Sequence, residues 1–302
     1  MDELTSAGIL DPLLRTSYEE CKRLNALHGK TYYLATLLLP KSKRPFVHAL
    51  YGFARYADEI VDDLSSSLTI QEKQRALRNW GDGILADLHS GYSADHIGMA
   101  LIDTAKRFAI PHEHFEAFLD SMEMDLSISD YQNYDELMKY VYGSAAVIGL
   151  EMAPVLGVLD HRAIDGAKKL GIAFQLANFI RDIDEDLDRG RVYMPQDEMV
   201  AHGVDRKMLE KRVLTPEIVN LLKFQIARVR RLQAEAKPAI QFLAKESRPC
   251  IRAASELYCG IVDEVESIGF DVFKRRAKTS SLRRARVAGV AFLETLPHRF
   301  SW

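Results

Sequence analysis

The residues best placed for chemistry are four aspartates that occur as two pairs with the same spacing. Asp58 and Asp62 form the first pair, and Asp182 and Asp186 form the second. Residues four apart share one face of a helix, so each pair would place two carboxylates one turn apart. Like charges at this spacing destabilise a bare helix by about 0.2–0.5 kcal/mol. One such pair is typical of a solvated helix end, but two pairs favour a cation-binding site.

Two amides extend the second pair into a longer polar stripe. Gln175 and Asn178 precede Asp182 at helical spacing, and most of the residues between them are apolar. We therefore expect this helix to be largely buried. Two unit charges about 4 Å apart at an effective dielectric constant of 20 repel by roughly 4 kcal/mol, so buried carboxylates here need a cation. Asp184 and Asp188 fall on the neighbouring face and are expected to be solvated.

Oxygen ligands alone favour a hard divalent cation at this stripe. Mg²⁺ commonly uses one or two carboxylates and completes its shell with water and phosphate oxygens. Zinc is disfavoured because the sequence has no HxxxH or Cys/His cluster. A calcium loop starting at Asp182 would need Gly and Glu where Leu187 and Tyr193 stand. A P-loop is excluded because Gly171 is followed by Ile172.

Cationic side chains lie close to both pairs. Arg55 precedes the first pair and Arg181 adjoins the second, and such residues could hold phosphate oxygens or form ordinary surface salt bridges. Further candidates are Lys30, Arg189 and Arg191. A later basic group comprises Lys274, Arg275, Arg276, Lys278, Arg283, Arg284 and Arg286. This group could bind a diphosphate, contact an anionic lipid surface or be a solvated tail.

Two other groups of residues give weaker signals. His28, Lys30 and Thr31 stand in a polar turn with no site signal of its own. Tyr140 and Tyr258 lie in apolar helical segments, where core packing is the default. Around an allylic diphosphate, tyrosine rings could stabilise a carbocation and tyrosine hydroxyls could relay a proton.

The elements that must position these residues are helices throughout. Helical periodicity covers about 14–27, 45–64, 70–90, 95–109, 112–127, 134–158, 161–188, 205–211, 215–244, 247–267 and 282–295. Residues 128–134 form a turn-rich break, and Asp135 could cap the helix that follows. The breaks are too short for domain linkers, so we predict one all-α domain over residues 1–302.

Composition limits the partners and the compartment. The 302 residues are 47% hydrophobic with a net charge of −3, which gives no global basic field for nucleic acid. Three cysteines without CxxC spacing fit a reducing compartment, so we expect a cytoplasmic protein. The amino terminus is not that of a secretory signal, and no run is long enough to span a bilayer. Peripheral membrane contact stays open.

The sequence resembles the squalene/phytoene synthase family over nearly its whole length, and it is most similar to the phytoene-forming bacterial members. The resemblance is carried by HGKTYYLATLLLP at 28–40, YGFARYADEIVDD at 51–63, YVYGSAAVIGL at 140–150, QLANFIRDIDEDLDRGRVYMP at 175–195 and ASELYCGIVDEVESIGFDVF at 254–273. The fourth segment is the most specific, since chain-elongating prenyltransferases use differently spaced DDxxD boxes.

The resemblance implies an isoprenoid synthase fold, a helical bundle around a central cavity with the aspartate pairs facing each other. Mg²⁺ or Mn²⁺ would join substrate diphosphate to Asp58, Asp62, Asn178, Asp182 and Asp186. Tyr140 and Tyr258 match active-site tyrosines. The residues that match or could form the substrate-binding set are His28, Lys30, Thr31, Arg55, Gln175, Asn178, Arg181 and Arg275.

The implied reaction is head-to-head condensation of two allylic diphosphates through a cyclopropylcarbinyl diphosphate, giving phytoene from geranylgeranyl diphosphate. Phytoene formation ends in loss of a proton, so no nicotinamide is expected. A C30 synthase using farnesyl diphosphate is the nearest alternative, and a noncatalytic helical assembly factor is the second. The helix around Ser144 departs from the family pattern, and oligomeric state and chain-length selection cannot be predicted from the sequence.

Overall fold

The computed structural model describes residues 1–63 and 67–299, without the side chains of 30, 31 and 296–299. Its helices are α1 (Glu3–Ser6), α2 (Pro12–His28), α3 (Lys30–Thr36), α4 (Arg44–Asp62), α5 (Ile70–Ser90), α6 (His96–Phe108), α7 (His112–Met124), α8 (Tyr134–Val141), α9 (Val147–Leu156), α10 (Arg162–Arg181), α11 (Ile183–Asp188), α12 (Gln196–Ala201), α13 (Arg206–Glu210), α14 (Pro216–Ala236), α15 (Arg248–Cys259), α16 (Ile261–Ser267) and α17 (Ser281–Arg299). Extended pairing in the described residues is limited to two isolated bridges. The all-α prediction is confirmed.

Side-chain caps explain where several helices begin. At α5 the Thr69 hydroxyl accepts from the Glu72 backbone N–H, and the Glu72 carboxylate accepts from the Thr69 backbone N–H. Such caps typically contribute about 1 kcal/mol each. The predicted cap of α8 is wrong: Asn133, and not Asp135, accepts from the Glu136 N–H. The helix begins at Tyr134, where the periodicity places it, so Asp135 lies inside its first turn.

The predicted helix over 161–188 is interrupted at the second aspartate pair. Asp182 leaves the helical region, with φ −101° and ψ 15°, and separates α10 from α11. The Asp186 backbone N–H still donates to the Asp182 carbonyl at 2.8 Å. The polar stripe is therefore bent at its centre, and its side chains are not aligned along one straight helix.

Other predicted helices are also shorter than their periodic patterns. A π-helical turn at Tyr142–Ala146 separates α8 from α9, and Gly260 separates α15 from α16. The pattern over 215–244 ends as α14 followed by a 3-10 segment at Lys237–Phe242, which has Pro238 in its first turn. Residue 64, the last of the predicted helix 45–64, lies outside the described residues. The prediction of one domain over 1–302 stays a prediction.

The helix α10 lies among the elements that build the site. It packs against α14, α9, the π-helical turn and the 3-10 segment Lys237–Phe242. Two glycines permit close packing here: a Cβ on Gly171 would lie 2.4 Å from the Ala145 carbonyl oxygen, and one on Gly143 would lie 1.9 Å from that of Ala117. Both positions therefore require the absence of a side chain.

The helix α17 rests on α15 and leaves most of its surface in solvent. Val287, Ala291 and Thr295 form its buried stripe. In the described part of the chain, α17 included, no helix combines the length and apolar character needed to cross a bilayer.

Candidate active site

A cavity of about 580 Å³ runs from a charged, solvent-exposed end into an apolar interior. The charged end receives side chains from α4, α10, α11 and the segments that follow α11 and α16. The interior is lined by small and aliphatic side chains of α9, α10, α15 and the 3-10 segment, among them Ile148, Met152, Ala163, Leu170, Ala239 and Leu243. This polarity suits a ligand with an anionic head and a hydrocarbon tail.

The first aspartate pair lies at the charged end, and both residues are held by arginines. The Arg55 guanidinium donates to Asp58 at 2.7 Å. Asp62 receives Arg191 from across the cavity at 2.8 Å, and the Arg189 guanidinium approaches it at 3.7 Å. These contacts join α4 to the segment after α11, so the two aspartate pairs face the same space.

In the second pair, the Asp182 carboxylate is bound by one arginine of α10 and one from the segment after α16. The Arg181 guanidinium donates to Asp182 at 2.7 Å, and Arg276 binds the same carboxylate in a two-point contact at 2.8 and 3.0 Å. Arg276 also approaches Glu185 at 3.2 Å. Asp186 lines the cavity beside them, and its backbone carbonyl accepts from the Arg191 N–H at 2.8 Å.

The pKa values of these carboxyls reflect their unequal neutralisation. Burial and the neighbouring Asp182 raise the pKa of Asp186 to about 8, and burial with the neighbouring Asp62 raises the pKa of Asp58 to about 6. Burial also opposes ionisation of Asp182, but Arg181 and Arg276 hold its pKa below the ordinary value. Adding positive charge near Asp58 and Asp186 would therefore stabilise their ionised forms.

The residues present fit a hard divalent cation that is shared with a ligand. The Asn178 Oδ1 atom is buried, lines the cavity and has no hydrogen-bond partner among the described residues. Within that part of the chain, no three acidic, histidine or cysteine side chains are already gathered as a metal cluster. Mg²⁺ accepts few protein ligands when water and phosphate oxygens complete its octahedron. The donors thus suit ions that bind together with a diphosphate.

A buried carboxylate that the sequence reasoning missed lies next to this charged end. Asp125 accepts hydrogen bonds from the hydroxyls of Tyr140 at 2.8 Å and Tyr193 at 2.6 Å. Tyr193 stacks on Phe179 with 4.2 Å between ring centroids. Burial raises the pKa of Asp125 to about 6, while Arg191 and the two hydroxyls oppose that rise. These residues form an aromatic wall between the charged end and the interior.

The second predicted tyrosine lies behind the cavity wall. Tyr258 is buried and its ring lies 4.6 Å from Tyr32 and 4.9 Å from Phe174, centroid to centroid. Tyr32 and Phe174 line the cavity, whereas Tyr258 supports them from the outside. Burial and the adjacent Tyr32 raise the pKa of Tyr258 well above its ordinary value, so it is a neutral hydroxyl.

The remaining predicted residues fall into three groups. Gln175 and Asn178 line the cavity as predicted. His28 lies outside the lining, with Nε2 3.3 Å from Glu59, and the side chains of Lys30 and Thr31 lie outside the described residues.

Of the later basic group, Arg276 joins Arg181 at Asp182. Arg276 lines the cavity, whereas the predicted Arg275 is exposed and outside the lining. Because residues 274–280 are not helical, helical spacing does not predict which of their side chains faces the cavity. Asp184 and Asp188 pair with Arg212 outside the cavity; Asp188 is exposed, as expected, whereas Asp184 is half-buried.

Solved structures share this fold. A dehydrosqualene synthase crystallised with a ligand superposes with a TM-score of 0.84 at 24% identity, covering 92% of this chain and 96% of that one. The squalene synthase HpnC from Alicyclobacillus acidocaldarius gives a TM-score of 0.79 at 22% identity, covering 88% and 98%. The fold is therefore the all-α fold of these squalene and dehydrosqualene synthase structures.

Sequence comparison identifies the family to which the chain belongs within this fold. The family model for squalene/phytoene synthase matches residues 26–283. The 15-cis-phytoene synthase of Synechococcus elongatus is 32% identical over 93% of this chain and 94% of its own length. Phytoene synthase 2 of Solanum lycopersicum is 34% identical over 94% of this chain and 92% of its own length. The chain belongs to the squalene/phytoene synthase family.

Proposed function

We propose that the chain is a phytoene synthase, a prenyltransferase that joins two molecules of geranylgeranyl diphosphate head to head. The observation that carries the proposal is the pair of opposed aspartate sets with their arginines at the open end of an apolar cavity. The similarity to phytoene synthases over more than nine-tenths of the chain supports the C40 product. The first half forms a cyclopropylcarbinyl diphosphate with release of one diphosphate and one proton. The second half rearranges it with release of the other diphosphate and a second proton, without a nicotinamide.

The charged end would hold the diphosphate groups. Arg55, Arg181 and Arg276 now neutralise Asp58 and Asp182, and their guanidinium groups can turn to phosphate oxygens when the aspartates bind metal. We propose Asp58, Asp62, Asn178, Asp182 and Asp186 as the ligands of Mg²⁺ or Mn²⁺. When bound, the metal supplies Lewis acidity that stabilises the negative charge developing on the leaving diphosphate.

The interior would protect the carbocations that follow departure of diphosphate. Tyr140, Phe179 and Tyr193 present stacked rings at the start of the apolar section, where ring faces can stabilise positive charge. Beyond them the wall carries mainly Ala, Leu, Ile and Met side chains, which exclude water from the reacting atoms.

The proposed substrates also indicate where in the cell the enzyme works. Both carry long hydrocarbon tails, so we propose a cytoplasmic enzyme in peripheral contact with the inner face of a membrane. Its partners would be the allylic diphosphates and the lipid surface, with no nucleic acid.

A paired-substrate assay tests the proposed function. Purified protein with Mg²⁺ is given geranylgeranyl diphosphate or farnesyl diphosphate in separate reactions, and the hydrocarbons are separated by chromatography. Phytoene from the C20 substrate is expected. A C30 product from farnesyl diphosphate with no product from geranylgeranyl diphosphate would instead assign a C30 synthase. The absence of product from both would favour a noncatalytic assembly factor of the same fold.

A further inference from the structure

The outward face of α17 is unusual for a helix exposed to water. Its most outward positions include Leu282, Ala285, Gly289 and Leu293, spaced at three, four and four residues. The two leucines are 82% and 64% exposed. A surface helix normally turns charged and polar side chains to solvent and apolar ones to the core. Here apolar side chains occupy the outward face as well as most of the buried stripe.

Exposed apolar side chains also flank this outward face. Val290 is 55% exposed on one side and Phe292 is 44% exposed on the other. Val290, Phe292 and Leu293 lie together towards the carboxyl end of α17, and Leu282 lies near its start on the same outward face.

The charges around α17 identify what would cover this face. From residue 274 to the end of α17 at Arg299 the sequence has eight Lys or Arg residues and one acidic residue, Glu294, which pairs with Arg252, in a chain whose net charge is −3. Arg276, Arg283 and Arg286 are engaged by acidic side chains of the protein body. Arg275, Lys278 and Arg284 are exposed, and within the described residues they form no ion pair.

We propose that α17 and the basic segment before it dock on the anionic surface of a lipid membrane, with the outward leucines inserted at the headgroup boundary. An interfacial helix combines a Leu- and Phe-bearing face with flanking cations in this way, and anionic lipids attract nearby Lys and Arg. A second copy of the chain is disfavoured as the occupant, because a two-fold contact would bring the same cations together.

The basic segment before α17 connects the docking surface to the cavity entrance. Arg276, which binds Asp182 at the charged end of the cavity, lies only a few residues before α17. A docked α17 would therefore hold the cavity entrance close to the lipid phase in which the substrate tails dissolve. The need for such contact rests on the proposed function, but the docking itself does not.

Vesicle flotation of the full-length protein tests the proposal. We expect the protein to float with vesicles of phosphatidylcholine containing phosphatidylglycerol, to bind pure phosphatidylcholine weakly, and to release as ionic strength rises. The double substitution Leu282→Ser and Leu293→Ser should lower partitioning at least about tenfold. The matched control is Val200→Ser with Val213→Ser, at valines that are 73% and 60% exposed on α12 and near α13. This control should float like wild type.

Three outcomes would overturn the proposal. They are wild-type protein that stays unbound on anionic vesicles, a leucine variant that floats like wild type, and a leucine variant whose main effect is to convert a lipid-free dimer to a monomer in light scattering. Thermal melts check that each variant is folded. Activity in detergent separates this proposal from the function: the leucine variant should turn over geranylgeranyl diphosphate as wild type does, and inactive wild type that still floats would contradict only the function.

Discussion

The carboxylate of Asp125 accepts a hydrogen bond of 2.8 Å from the hydroxyl of Tyr140. The same carboxylate accepts from Tyr193, whose hydroxyl lies 3.5 Å from the Arg191 guanidinium, and Arg191 binds Asp62. A continuous polar chain therefore joins the first aspartate pair to the aromatic wall. Through it, the position of the proposed metal-binding end is coupled to the position of the rings that we propose to face the carbocation.

The first prediction concerns this series of polar contacts between Asp62 and Tyr140. Asp125→Asn keeps the shape but removes the charge and one of the two acceptor oxygens, so one tyrosine hydroxyl loses its partner. A hydrogen bond to a charged group contributes about 1.5–3 kcal/mol, and we expect kcat to fall by about 10- to 100-fold. Steady-state kinetics with geranylgeranyl diphosphate measure this. Tyr193→Phe, which leaves Asp125 bound to Tyr140, should lose less; an unchanged kcat in Asp125→Asn would remove the residue from the site.

The second prediction uses adjacent arginines as a matched pair. Arg276→Gln removes the two-point contact with Asp182 and, in the proposed complex, a charged donor to diphosphate. We expect KM to rise about tenfold or more. Arg275→Gln changes the same charge at an exposed position outside the cavity and should stay within about twofold in a detergent assay without anionic lipid. Equal effects of the two substitutions would show that only net charge matters.

The third prediction is a pH dependence of stability. His48 is 1% exposed, and burial lowers its pKa from 6.5 to about 4. Above pH 6.5 the ring is neutral in the folded and unfolded states. As the pH falls from 6.5 to 4 the unfolded chain takes up the proton first, so the free energy of unfolding decreases, by on the order of 3 kcal/mol in total.

Urea unfolding between pH 4 and 7.5 measures this dependence. His48→Gln, which keeps a polar partner for Asn25, should be less stable than wild type near pH 7 but should lose less stability on acidification. Parallel pH curves for the two proteins would show that His48 is not the group responsible.

The fourth prediction concerns close packing at the π-helical turn. A Cβ at Gly143 would lie 1.9 Å from a backbone oxygen, so Gly143→Ala must displace the turn that follows Tyr140. We expect a loss of about 1–3 kcal/mol, measured by thermal or chemical unfolding. At Gly83 in α5 a Cβ would meet no atom within 4 Å, and Gly83→Ala should stabilise the protein by about 0.5–1 kcal/mol. Similar effects at the two glycines would contradict the packing described.

Periodicity made the helices and the aspartate pairs predictable, because repeated spacing places residues on one face without any knowledge of the tertiary structure. Asp125 had no such signal: it is a single carboxylate after α7, and its partners come from α8 and from the segment after α11. Arg275 was singled out from the basic group, whereas Arg276 lines the cavity. In a non-helical segment, the directions of the side chains depend on tertiary contacts and cannot be predicted from spacing. The interruptions at Asp182 and at Tyr142–Ala146 arise within continuous apolar patterns, where periodicity does not distinguish a bent turn from a straight one.

The central claim is that one diphosphate is held by both aspartate pairs together through divalent ions. Calorimetric titration of inorganic pyrophosphate measures this in the wild type, in Asp62→Asn, in Asp186→Asn and in the double variant, with Mg²⁺ and with EDTA. We predict binding that requires Mg²⁺, a loss of at least about tenfold in each single variant, and a double variant scarcely weaker than the singles, because either change breaks the shared site. Binding that persists in EDTA, or losses that simply add in the double variant, would contradict the claim.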